Sequence, residues 1–161
     1  MEREVGEVAP DFTLAATVDG GELRLAALRG APAVIYFYPK DATPGCTTEA
    51  CDFRDHFNGF AAEGVTVVGI SPDSLASHER FRAKQGLNFP LASDPDHAVA
   101  QAYGVWQLKK LYGREYEGIV RTTFLVDANG RIARVWKRVK VKGHASEVLQ
   151  AARELLTGEP A

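Results

Sequence analysis

Residues 33–38 form an apolar run that stops at Pro39 and gives way, a few residues later, to an amphipathic pattern. Val34, Ile35, Tyr36, Phe37 and Tyr38 are β-branched or aromatic without polar alternation, as expected of a strand covered on both faces. Downstream, Ala50, Phe53, Phe57, Phe60 and Ala61 recur at spacings of three and four, the apolar stripe of a helix packed on that strand's sheet. Thr43 followed by Pro44 reads as an N-cap with proline in the first helical position, where its missing N–H costs nothing. A second apolar run at 65–70 completes a right-handed strand–helix–strand unit with parallel strands. Ligands of such sheets bind beyond the strands' carboxyl ends, where Thr43 and Cys46 fall.

Cys46 sits in the predicted helix's first turn, where unpaired amides and the positive end of the helix dipole favour a thiolate. It is the candidate nucleophile, expected to be exposed at the helix start. Cys51, the other of the chain's two cysteines, follows five residues on. In a regular helix that spacing means a Cα separation of about 8.7 Å, whereas a disulfide tolerates about 7 Å. If the two join, the helix must unwind locally. The alternative for both, heavier for Cys51, is a pair of small buried apolar residues.

Elsewhere, residues 12–14 and 22–25 read as a short hairpin around Asp19, Gly20 and Gly21. Ser71 to Ser74 cap a polar outer helix through Gln85, ended by Gly86. Residues 90–92 suggest a short strand, and Asp94, Pro95, Asp96 and His97 a turn, rather than a metal site, leading into a helix through Tyr103. Residues 103–118 mix aromatic and basic side chains without a clean period, which predicts an irregular excursion with its aromatics packed on the body. The functional alternative is an active-site rim with Trp106 as apolar wall. Residues 119–126 and 131–135 predict a hairpin, and Arg121 opens its first strand. If that strand runs antiparallel to residues 33–38, Arg121 lies beside Cys46; by pattern alone it reads as an ordinary surface arginine. Arg138, Lys140 and Lys142 alternate with Val139 and Val141, predicting a solvated strand face, or alternatively a surface attracting an acidic reductant protein. Val148, Leu149, Ala152, Leu155 and Leu156 stripe a final helix ended by Gly158 and Pro160.

These alternating elements predict an α/β protein of thioredoxin-like fold: a central mixed β-sheet with helices on both faces, in one domain spanning residues 1–161. A chain that is 45% hydrophobic builds such a core without metal or disulfide support. Net charge −2 gives no reason to expect a nucleic-acid surface. No apolar run approaches a membrane span, and the start lacks the basic and apolar regions of a signal peptide, so a cytoplasmic location is expected. His56, His78 and His144 share no metal-ligand spacing, and phosphate-loop, dinucleotide, GxSxG and HExxH motifs are missing.

The run Pro39, Lys40, Asp41, Ala42, Thr43, Pro44, Gly45, Cys46 resembles the P-x-x-x-T-x-x-C signature of the peroxiredoxins. Its continuation through Thr47, Thr48, Glu49, Ala50 and Cys51 to Phe53, Arg54 and Asp55 resembles the bacterioferritin comigratory protein, or Q-type, branch. Ala9, Pro10, Asp11 and Phe12, and residues 121–127, are also family-like. The resemblance implies a thiol peroxidase in which Cys46 is the peroxidatic nucleophile and Thr43, Arg121 and the Cys46 amide hold the peroxide. It implies that Pro39 shields the site, and that Cys51 resolves the sulfenic acid as an intramolecular disulfide reduced by a thioredoxin-like donor. A monomer follows from the same likeness, and no cofactor or metal is expected. Glu49 either orients Arg121 or favours the helix N-terminus. Two other classes fit the cysteines: a redox sensor or thiol relay, and a non-catalytic binding module of thioredoxin fold.

Overall fold

The computed structural model describes residues 3–158, so Pro160, expected to help end the last helix, lies outside the described residues. A mixed seven-stranded sheet runs in the order β2-β1-β5-β4-β3-β8-β9, from β1 (Thr13–Ala16), β2 (Glu22–Arg24), β3 (Ala33–Phe37), β4 (Thr66–Ser71), β5 (Leu91–Ser93), β8 (Thr122–Val126) and β9 (Ile132–Trp136). The expected parallel pair is β3 with β4, in register from Ala33↔Thr66 to Phe37↔Ile70.

All five residues of β3 are buried, and alternate side chains enter two separate apolar cores. Val34 and Tyr36, with Tyr38 beyond the strand, face α1 (Pro44–Asp55), α2 (Phe57–Ala62) and α5 (His144–Thr157), together with Phe81 of α3 (Leu75–Gln85). Ala33, Ile35 and Phe37 face the N-terminal segment, a 3-10 turn (Leu25–Leu28) and the short α4 (Ala98–Ala102). Helical elements therefore cover both faces, the longer ones on the Cys46 side. On that side Tyr36 stacks on Phe53 of α1 with ring centroids 4.8 Å apart. Gly69 makes room for the ring: a β-carbon there would sit 2.8 Å from the Tyr36 hydroxyl.

Several local expectations change. The helix expected to run unbroken from Pro44 into residues 60–62 divides at His56, whose backbone leaves helical geometry at φ −95°, ψ 6° and whose Nδ1 takes up the Asp52 carbonyl at 2.8 Å. Thr43 occupies the N-cap position but makes no side-chain cap. Instead its hydroxyl donates to Lys40 O at 2.8 Å. Ser74 does cap α3, accepting from the Ser77 amide, and Gly86 closes that helix at φ 62°.

The irregular excursion expected at 103–118 is a regular two-stranded hairpin, β6 (Trp106–Leu111) with β7 (Arg114–Ile119), turned by Tyr112 and Gly113 at positive φ. It stands apart from the main sheet with most residues of both strands exposed or half-exposed, so burial never imposed the alternation that betrays a strand in sequence. β7 stops at Ile119 and β8 starts at Thr122, which leaves Arg121 in the joint between them rather than inside one continuous strand. The predicted basic strand at 138–142 is a loop: Arg138 turns at φ 50°, and the Val139 amide donates to Arg121 O at 3.0 Å. Leu156, expected in the α5 stripe, is exposed.

Candidate active site

The antiparallel register of β3 and β8 sets Phe37 opposite Thr122, so the residue before β8 falls beside the residues that follow β3. That residue is Arg121. Its Nη2 donates to Cys46 Sγ at 3.2 Å and its Nη1 to Glu49 Oε1 at 2.6 Å. Cys46 and Glu49 lie three residues apart in α1, hence on one helical face, and a single guanidinium spans both. Of the two readings of Glu49, orienting Arg121 is the one that matches this contact.

Cys46 is buried, at 2% exposure, rather than open at the helix start as the sequence suggested. The first turn of α1 is itself outside, with Pro44 and Gly45 exposed, but Cys46 points inward to the core that contains Tyr36, Tyr38 and Phe53. The amides of Gly45 and Cys46 belong to the first turn, where donors have no carbonyl inside the helix to satisfy them. A thiolate at Cys46 is therefore flanked by first-turn amides and by the Arg121 cation.

Glu49 is 1% exposed and its Oε2 has no hydrogen-bond partner. Burial pushes its carboxyl up and outweighs the opposing pull of Arg121, leaving it raised from 4.5 to about 7. Behind it, His144 at the start of α5 is lowered to about 4, first by burial and then by the charge of Arg121, and exchanges a 2.8 Å hydrogen bond with Thr123.

Thr43 is half-buried at the mouth of the helix. Its hydroxyl hydrogen is committed to Lys40 O, which leaves the oxygen's lone pairs as acceptors. Pro39 is half-buried between the end of β3 and this loop. Cys51 lies on α1, half-buried, its thiol 3.6 Å from Gln85 Oε1 of α3, and both cysteines are free. Trp106 joins no contact with Cys46: its indole stacks on His97 at 3.7 Å and donates to Glu117 Oε2 at 2.7 Å.

The side chain that does reach the rim is Lys109, which the sequence reading passed over. It runs along Gly118, where a β-carbon would come within 3.3 Å of Lys109 Cδ, and its ammonium donates to Ile119 O at 2.9 Å. Burial lowers its pKa, Arg121 lowers it further and a charge on Cys46 raises it, so Lys109 lies within the electrostatic reach of both. Among the described residues the three carboxylate and imidazole groups close enough to share a metal ion are Asp41, Asp73 and His78, and they are already hydrogen-bonded to protein groups. No described helix is long and apolar enough to cross a membrane.

Comparison with known proteins places this geometry in context. A family model described as the AhpC/TSA family matches residues 5–135. Peroxiredoxin Bcp of Bacillus subtilis is 48% identical over 156 residues, covering 96% of this chain and 98% of its own. A solved structure of Xanthomonas campestris bacterioferritin comigratory protein, described for its alkyl peroxide reduction activity, superposes with a TM-score of 0.86 at 42% identity, over 93% of this chain and 98% of that one. A PrxQ mutant of Xylella fastidiosa gives a TM-score of 0.90 at 37% identity, over 97% of this chain and 99% of that one. The thioredoxin-like arrangement of the sheet is common to these structures.

Proposed function

This chain belongs to the AhpC/TSA family, in its peroxiredoxin Bcp branch, and from that premise we propose that it is a thiol peroxidase acting through Cys46. The observation that carries the proposal is the 3.2 Å contact between Arg121 Nη2 and Cys46 Sγ, with Glu49 Oε1 accepting from the other side of the guanidinium.

In the proposed reaction the Cys46 thiolate attacks the terminal oxygen of a hydroperoxide. An S–O bond forms, the O–O bond breaks, and the leaving oxygen departs as water or an alcohol after taking a proton. Charge grows on that leaving oxygen, so the Arg121 guanidinium and the Cys46 amide are the donors that lower the barrier. Thr43 accepts the peroxide hydrogen with the lone pairs it leaves free, and Pro39 screens the sulfur from bulk water. The larger clefts, about 650 Å³ at the β6–β7 tip and about 510 Å³ beside β1 and α3, are lined by other residues. A peroxide group is small enough not to need them.

Cys51 then attacks the Cys46 sulfenic acid: the S–S bond forms and water leaves, giving an intramolecular disulfide. A thioredoxin-like dithiol reduces it by thiol–disulfide exchange. No cofactor or metal enters these steps. An intramolecular resolving cysteine needs no second subunit, which supports a monomer working as one domain in a reducing, cytoplasmic compartment.

The test is steady-state peroxide consumption coupled to NADPH through thioredoxin and its reductase, with Cys46→Ser as the control. Many turnovers per Cys46, abolished in Cys46→Ser, are expected. A single oxidation without cycling would favour a redox sensor, and undiminished turnover by Cys46→Ser would remove Cys46 from the mechanism.

A further inference from the structure

Between the end of β3 and the start of α1, the loop at residues 39–43 is tied to the body by one buried group, the Asp41 carboxylate. It accepts from Tyr38 Oη at 2.6 Å through Oδ1, and from Ser77 Oγ at 2.9 Å through Oδ2. His78 Nδ1 lies 2.7 Å from the same Oδ2, and His78 Nε2 lies 3.0 Å from Ala92 O. The ring therefore bridges the loop carboxylate and the β5 backbone, with a potential partner at each of its nitrogens. The His78 side chain is 0% exposed and that of Asp41 4%. Burial would raise the Asp41 carboxyl, but hydrogen bonds from His78 and Tyr38 outweigh it and hold it below its ordinary value. The backbone of Asp41 is fixed as well, its amide donating to Asp73 Oδ2 at 2.7 Å, a carboxylate oxygen that also accepts from Ser71 Oγ at 2.7 Å. The hydrogen-bond partners of this one residue thus lie on α3, in the turn between β4 and α3, and at the end of β3 itself.

What leaves the anchor is the reacting part of the chain. Ala42 follows at φ 64°, an unfavourable backbone for a residue with a β-carbon, then Thr43, then the helix turn with Cys46. A backbone held in that conformation needs surroundings that over-determine it, and Asp41 is the adjacent fixed point. The far end of α3 grips the same helix: Arg54 Nη1 donates to Gln85 O at 2.6 Å, and the Cys51 thiol approaches Gln85 Oε1 at 3.6 Å. One helix therefore holds both the approach to α1 and its C-terminal half.

We propose that Asp41, His78 and Ser77 are positioning residues of the thiol peroxidase: by docking the 39–43 loop onto α3 they set the placement of Thr43 and Cys46 for peroxide, and they oppose the unwinding of α1 that joins Cys46 to Cys51. The proposal rests on the peroxidase reading above. It gives the two chemical steps opposite responses to the same lesion. Misplacement of reacting groups by about 1 Å costs roughly a hundredfold in rate, so loosening the loop slows oxidation of Cys46, while the freed helix start reaches Cys51 sooner.

The experiment measures both steps with hydrogen peroxide, by rapid quenching and mass spectrometry. Sulfenic acid formation is followed in a Cys51→Ser background, and disulfide formation with Cys51 present. Asp41→Ala is expected to oxidise at least about tenfold more slowly and to form the disulfide several-fold faster. Ser77→Ala, at the half-exposed edge of the cluster, removes one hydrogen bond and is expected to shift both steps in the same directions by about threefold. Asp41→Asn keeps the shape, with an amide group facing His78 and a carbonyl facing Tyr38, and is expected to restore oxidation to within about threefold of the native rate. Should Asp41→Ala not fold, Ser77→Ala decides. Native rates in both variants, or equal slowing of both steps as from a smaller folded fraction, would overturn the positioning role while leaving the peroxidase reading intact. A native protein whose Cys46 hydrogen peroxide does not oxidise would overturn both.

Discussion

The guanidinium of Arg121 lies across the bare α-carbon of Gly45, so close that a β-carbon there would stand 3.3 Å from Nη2. The same nitrogen contacts Cys46 Sγ at 3.2 Å. Gly45→Ala is helix-compatible and puts a methyl group against the one cation that touches the sulfur. The guanidinium must give by a few tenths of an ångström, so the rate of Cys46 oxidation is expected to fall by about three- to tenfold with thermal stability held or slightly raised. Stopped-flow peroxide kinetics beside a melting curve checks this, and an unchanged rate would mean that the Arg121 placement is not rate-determining.

Arg121→Ala removes the donor altogether. One charge-stabilising donor is commonly worth about 2 kcal/mol or more, so at least a tenfold loss in peroxide rate is expected while the fold persists. Arg121→Lys should recover little, because an ammonium cannot reach Cys46 and Glu49 with two nitrogens of fixed geometry. Equal rates for native and Arg121→Ala proteins would take Arg121 out of the reaction.

Around the site, two buried groups give stability opposite dependences on pH. Glu49 is raised from 4.5 to about 7 by burial, with Arg121 opposing, so the fold prefers its protonated form; its stabilising effect is present below pH 4.5 and is lost as pH rises through about 7. His144 is lowered from 6.5 to about 4 by burial and by Arg121, so the fold prefers it neutral; that contribution is present above pH 6.5 and is lost as pH falls through about 4. Between about pH 6.5 and 4.5 the two slopes oppose each other. Glu49→Gln should therefore unmask a loss of stability on acidification from pH 7.5 to 5, and His144→Asn a gain, read as urea midpoints. The same pH dependence in both variants as in the native protein would sink the assignment.

How much of this was legible in the sequence depended on how local its cause was. The run at 33–38 announced a central strand because all five residues of β3 are buried, and an antiparallel pairing with the strand after Arg121 puts that residue near Cys46, although by pattern alone Arg121 reads as an ordinary surface arginine and only the family likeness singles it out. The burial of Cys46 was not legible, since it comes from Arg121 and Tyr36 arriving from different elements rather than from its own helix pattern. Nor was the pairing of Asp41 with His78, separated by 37 residues, in which each partner alone reads as turn or helix surface. Lys109 escaped notice because β6 is largely exposed, and its stem runs close over Gly118 across the hairpin, a contact no local pattern reports.

The last prediction concerns the shape of the oxidised protein. Both cysteines lie within α1, and in a regular helix their Cα atoms stand about 8.7 Å apart, beyond the reach of a disulfide. Oxidation should therefore unravel residues 44–53, breaking the Thr47 amide to Thr43 carbonyl bond at the helix start and lifting Ala50 and Phe53 from the core. Phe53 leaves a stack with Tyr36 and an edge contact with His144, so the newly exposed apolar surface lies beside the disulfide, where a reductant protein must dock. α2 has its own anchor in Phe60 and should stay packed, because the chain already breaks helical geometry at His56. The check is amide exchange for the reduced protein, the peroxide-treated protein and peroxide-treated Cys51→Ser. Protection should fall across residues 44–53 only in the peroxide-treated native protein, and protection in α2 should be unchanged in all three. If the disulfide forms and exchange near Cys51 does not change, α1 is not a regular helix in solution. If treatment instead yields a dimer linked through Cys46, Cys51 is not the resolving residue, and mass spectrometry of the oxidised peptides separates these two results.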